Sequence, residues 1–158
     1  MCLADNNIAH LTHPIDYPAV AGFTDYLERV DGIAERMEGF IWHYVDSSGN
    51  ATDTQIGDDP RVIVNLSVWR DVAALKRFVC ETLHKQFYAN RDKWFQAMDR
   101  MGFAMWRIDE DHHPDISEAQ ARLDHDNAHG SSDHVFGWDH LQDATQWRSA
   151  RCAPLAAE

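Results

Sequence analysis

Residues 61–69, Arg-Val-Ile-Val-Asn-Leu-Ser-Val-Trp, leave this chain few options. The stretch is dominated by β-branched residues, and side chains on a strand alternate between two faces. Val62, Val64, Leu66 and Val68 therefore form one aliphatic side, while Ile63, Asn65, Ser67 and Trp69 form a mixed one. An aliphatic side is what helices cover. Asn, Ser and Trp on the other side fit a cavity wall with hydrogen-bonding groups better than a surface open to water.

The neighbouring segments arrange themselves around that strand. Residues 2–11 read as a strand even though Asp5, Asn6 and Asn7 disfavour one, and polar residues inside a sheet need partners. Pro18 stands at a helix start, and Val20, Phe23, Tyr26, Leu27, Val30 and Ile33 recur at helical spacing, which predicts a helix over about 17–36 closed by Gly39. Residues 40–45 form a second aromatic strand, with Phe40, Trp42 and Tyr44 on one face, and a polar loop follows. Arg70-Asp71 opens a helical run that continues into 84–95, His-Lys-Gln-Phe-Tyr-Ala-Asn-Arg-Asp-Lys-Trp-Phe, and stops at Gly102 before a strand over 103–108. A short surface helix over about 117–123, capped by Ser117 or Asp115, comes next. From His125 the chain reads as a polar loop whose Val135, Phe136 and Trp138 pack back onto the body.

The order β-α-β-β-α-β is that of a ferredoxin-like α+β fold, an antiparallel sheet with both helices on one face, here with an extra C-terminal helix and tail. The bare face is expected to carry Trp42, Tyr44, Ile63 and Trp69 together, an apolar patch too large for a stable monomer. Two-fold pairing with a second copy would cover it and close a barrel, so a homodimer is expected. The domain is expected over 1–138 and a tail over 139–158.

Segment 84–95 carries the chemistry. At about 100° per residue, His84, Tyr88, Arg91 and Phe95 fall within roughly 60° of one another on a helix, beside an apolar stripe of Phe87, Trp94 and Met98. An imidazole with an ordinary pKa near 6.5 makes His84 the candidate general acid or base. Arg91 is suited to an anionic oxygen and Tyr88 to donating a hydrogen bond to it.

Composition removes several alternatives. A chain of 158 residues with 44% apolar content fits one domain. The formal charge of −12, from 26 acidic against 14 basic residues, repels phosphate backbones and anionic lipid surfaces, so neither nucleic acid nor membrane is an expected partner. Cys2, Cys80 and Cys152 form no CxxC pair, and there is neither a signal-like N-terminus nor a long apolar run, so a soluble cytoplasmic protein is expected. The histidines and acids of 111–134 lack the spacing of a metal motif, and no glycine-rich phosphate loop or GxSxG elbow occurs.

Val64-Asn65-Leu66-Ser67-Val68-Trp69, His84…Arg91-x-x-Trp94-Phe95, His112-x-Pro114, His129-Gly130 and Leu3-Ala4-x-x-Asn7-Ile8-Ala9 together resemble a bacterial family, domain of unknown function 3291, over about residues 3–138. That family is similar to the dimeric α/β-barrel superfamily, which includes the antibiotic-biosynthesis monooxygenases. Asn6, Asp111 and the tail after Trp138 depart from the pattern. The resemblance implies a homodimer whose cavity takes a small, apolar, aromatic or polyketide-like metabolite of secondary metabolism. Oxygenation, isomerisation or cyclisation without a bound metal or cofactor would follow. In that reading Asn7, Asn65 and Ser67 orient the substrate, and Trp42, Trp69, Phe87, Trp94 and Phe95 wall it in. Two alternatives stand beside it. Asn7, Trp69 and a helical histidine resemble the set of haem-degrading relatives, although the position about ten residues after the tryptophan holds Phe78 or Val79. The other is a non-catalytic dimer that sequesters a hydrophobic ligand.

Overall fold

The structure is a computed structural model and describes residues 1–49, 51–79, 93–96, 98 and 102–141. Its strands and helices are β1 (Cys2–Leu11), α1 (Ala21–Ala34, entered through a 3-10 turn at Pro18–Val20), β2 (Phe40–His43), β3 (Val62–Trp69), α2 (Val72–Phe78), β4 (Phe95–Gln96), β5 (Phe103–Ile108) and α3 (Ile116–His129). The β-α-β-β-α-β order is present, with α3 added. All strand pairs are antiparallel, in the order β2-β3-β1, with β5 on the other side of β1 and β4 continuing along its far end.

β1 is the central strand, which explains why its polar residues cannot be idle. Leu3, Asp5, Asn7, Ala9 and Leu11 share one face with Ile63, Asn65, Ser67 and Trp69 of β3, and this face meets α1 and α2. The opposite face, with Cys2, Ala4, Ile8, Val64, Leu66 and Val68, packs against Ala119 and Leu123 of α3. Asn6 lies fully buried in that second layer, where its Nδ2 donates to the Ala119 carbonyl at 3.4 Å.

Four expectations change. The two sides of the sheet are exchanged: the face of Ile63 and Trp69, expected to be bare, is the one α1 and α2 cover, and the aliphatic face is covered by the chain's own α3, so the patch that called for a two-fold sheet pairing is not left open. Trp42 and Tyr44 do not share a face with Ile63 and Trp69, because a bulge between Phe40 and Trp42 sends Phe40 to the α1–α2 layer and the other two to the α3 layer. The helix expected to run through Phe95 gives way to strand: Lys93 and Trp94 are helical, but Phe95 and Gln96 pair with Leu11 and His10. β5 pairs with β1 only as far as Asn7, so the backbone of β1 beyond it needs another partner. Thr12 ties the junction, its N–H donating to the Trp94 carbonyl at 2.8 Å and its hydroxyl to that of Lys93 at 2.9 Å.

The fourth change concerns α3, which is neither short nor superficial. Asp115 caps it by accepting from the Glu118 N–H at 2.7 Å, and the helix continues through His129 to Gly130, whose φ of 80° ends it. Residues 125–129, read as loop, are its last turns. Asp126 is buried there and accepts from the Ser131 hydroxyl at 3.0 Å. The strap after α3 then returns to the edge of β5, where Met105 and Phe136 exchange two backbone hydrogen bonds of 2.8 Å. Val135 and Phe136 are buried on opposite faces and Trp138 stacks on Phe103, as the apolar cluster predicted.

Candidate functional site

Between the sheet and the α1–α2 layer lies a cavity of about 280 Å³. Its floor is built by two cross-strand pairs, Asp5 opposite Ser67 and Asn7 opposite Asn65. Its walls are apolar and largely aromatic: Phe23, Tyr26 and Val30 from α1, Leu75 and Phe78 from α2, then Phe95 and Phe103. A few polar groups converging on one side of an apolar room is the pattern of a small-molecule site. Asp5 and Ser67 are buried whereas Asn7 is exposed, so the floor runs from a closed end to a mouth.

The closed end carries the strongest electrostatics. Trp69 Nε1–H donates to Ser67 Oγ at 2.8 Å, and the Ser67 hydroxyl donates to Asp5 Oδ1. Asp5 is 5% exposed, and burial pushes its carboxyl up to about 7, against the opposing pull of the Ser67 and Trp69 donors. Trp69 is held by rings: Phe78 stacks on it at 4.9 Å and Phe40 meets its edge at 5.4 Å. Tyr26 packs beside Trp94 at 5.4 Å; its hydroxyl has no hydrogen-bond partner among the described residues, and burial holds the phenol well above its ordinary pKa.

Of the residues singled out from the sequence, Asn7, Asn65, Ser67 and Phe95 line this cavity. Trp69 and Trp94 stand behind it as buried support. Trp42 does not belong to it: the β2 bulge places the ring on the far side of the sheet, stacked on His113 at 4.9 Å. His84, Phe87, Tyr88 and Arg91 lie outside the described residues. Asp5 was missed as a site residue; the sequence offers only a carboxylate inside an otherwise strand-like segment.

His125, His129 and His134 come together, with ring centroids 4.6 and 4.8 Å apart, but no group of three or more ligands is placed to hold a metal ion among the described residues. Among the described residues no donor for haem stands where the resemblance would need a histidine: Phe78 there is a core ring stacked on Trp69. The described histidine that lines the cavity is His10, whose Nε2 sits 2.9 Å from Asp59 Oδ2.

Sheet order and an internal cavity define the class, a ferredoxin-like α+β domain with room for a small molecule between its layers. The chain belongs to the family described as Domain of unknown function (DUF3291), which it matches over residues 2–152, past the limit at 138 expected from its motifs. No curated protein matches it. Among solved structures it is similar to a conserved protein from Methanosarcina mazei Go1, at 14% identity over 69% of this chain and 94% of that one, with a TM-score of 0.51. A putative antibiotic biosynthesis monooxygenase from Chloroflexus aurantiacus J-10-fl is 15% identical over 72% and 98%, with a TM-score of 0.48. SnoaB, a cofactor-independent oxygenase from Streptomyces nogalater, is 15% identical over 69% and 94%, with a TM-score of 0.45. No helix among the described residues is long and apolar enough to cross a membrane.

Proposed function

We propose that this protein is a cytoplasmic enzyme acting on a small, mainly apolar, aromatic or polyketide-like metabolite by proton transfer, in an oxygenation, isomerisation or cyclisation that needs no bound cofactor. The observation that supports this reading is the aromatic cavity with a floor of paired polar residues and a buried carboxyl at its closed end. Asn7, Asn65 and Ser67 orient the substrate, Phe95 and the α1 rings bracket its apolar body, and Trp69 and Trp94 keep the walls in place. His84 acts as general acid or base, Arg91 holds an anionic oxygen and Tyr88 donates to it. A second copy enters this proposal as a neighbour and not as cover for the sheet, since α3 supplies that cover.

The test is a screen of aromatic and polyketide-like ketones for thermal stabilisation and turnover. Hits should stabilise the wild type and not Ala9→Phe, which fills the room from the floor. His84→Ala should lower turnover at least ~10²-fold if proton transfer runs through it. Tight binding of many hits with no turnover of any would assign the cavity to sequestration instead.

A further inference from the structure

Trp69, Ser67 and Asp5 form a one-way chain of hydrogen bonds that ends on a carboxyl group to which the roles above give no part. An indole N–H can only donate, so Ser67 Oγ must accept from Trp69. The single hydroxyl hydrogen of Ser67 is then free to go to Asp5 Oδ1. Rings on two sides fix the indole at the start of the chain, which fixes the direction of the whole. Asp5 is thereby set up as an acceptor. Its Oδ1 accepts from Ser67, in a buried side chain that lines the cavity. No cation among the described residues offsets it; besides burial, only Ser67 and Trp69 act on it. A buried carboxylate with no cation beside it in an apolar room is costly unless something arriving there carries a proton for it.

The rest of the room specifies what arrives. Phe23, Tyr26, Phe95 and Phe103 favour a flat apolar body. Asn7 and Asn65, opposite each other on the floor, offer amide N–H donors to a carbonyl oxygen. We infer that Asp5, oriented by Ser67 and Trp69, is the catalytic base that takes a proton from the carbon next to the carbonyl of a planar aromatic ketone. This rests on the reading of the cavity as a substrate site. In the step, the α-carbon–hydrogen bond breaks, the proton goes to the Asp5 carboxylate, and the bonding pair moves through the carbon–carbon bond onto the oxygen as an enolate, which accepts from an Asn amide. Return of the proton to the same or another carbon completes exchange or isomerisation, with no oxidant or reductant. A carboxyl brought to about 7 by burial suits a base working near neutrality. The other titratable groups lining the room, among the described residues, are Tyr26 on α1 and His10 on β1, the latter beside Asp59.

The probe is 2-tetralone, an enolisable aromatic ketone, offered to the full chain in D₂O. Saturation-transfer NMR reads binding and proton NMR reads loss of the α-hydrogens. The wild type should bind it and accelerate exchange along one limb centred near neutral pH. Asp5→Asn should still bind yet lose at least ~10²-fold in rate. Ser67→Ala should move the limb to higher pH, because the carboxylate loses a donor. The Trp69 indole N–H resonance should titrate with the same midpoint in the wild type and not in Asp5→Asn. Exchange by Asp5→Asn at the wild-type rate, or an indole resonance flat across the neutral range in the wild type, overturns the assignment of Asp5 alone. Failure of the wild type to bind the probe overturns the cavity reading together with it. If Asp5→Asn does not fold, the Ser67→Ala limb and the indole titration decide the matter.

Discussion

Asp5 is where a single side chain works against stability. Its carboxyl is near 3.8 in an unfolded chain and about 7 in the folded one. Below pH 4 both states hold the proton and the group contributes nothing. As pH rises from about 4 to about 7 the unfolded chain releases its proton while the folded chain keeps it, so stability falls across that window and levels off above it. At about 1.4 kcal/mol per unit the loss is on the order of 4 kcal/mol at most. Asp5→Asn should remove this contribution, so the gap between variant and wild type in urea midpoint should widen in the variant's favour from pH 4 to pH 8. A gap that narrows would mean that the ionised group stabilises the fold. A residue that destabilises where it stands, in a central strand, is typical of a functional position. That is also why it escaped sequence reading. One acid in a strand registers only as a poor strand former, and its burial comes from β3 and β5 on either side, which no local pattern reveals.

At the scale of elements, β3 was legible because alternation along one strand is a local property, and its mixed side does face a cavity. Which helix covers which side is not local. The β2 bulge reversed the placement of Trp42 relative to Phe40, and the two-residue β4 exists only because β1 has unpaired backbone beyond Asn7. α3 was legible in its cap and illegible in its extent, since buried Asp126 and the histidines after it look like loop. Its packing gives a clear test. Leu123 is buried between the helix and Val64 and Ala104, so Leu123→Ala should cost about 2–5 kcal/mol in chemical denaturation. A surface helix would lose less than about 0.5 kcal/mol from the same change. Gly102 marks another junction: a Cβ there would come within 2.5 Å of the Ile8 carbonyl oxygen, so Gly102→Ala must push β5 away from β1. It should lower thermal stability even though the glycine has no unusual φ.

For the whole molecule, net charge sets the background. At −12 the folded chain repels itself, and screening relieves that repulsion over distances beyond about 10 Å at 0.1 M salt. The melting temperature should therefore rise between 20 mM and 500 mM sodium chloride. A fall would show that ion pairs such as Arg61–Asp59, at 2.8 Å, outweigh the general repulsion.

Because α3 roofs the far side of the sheet from within the same polypeptide, the described walls and floor of the room are furnished without borrowing from a neighbour. Output per molecule should stay level as the preparation is taken down toward nanomolar amounts, whereas a room shared between copies would empty as they drift apart.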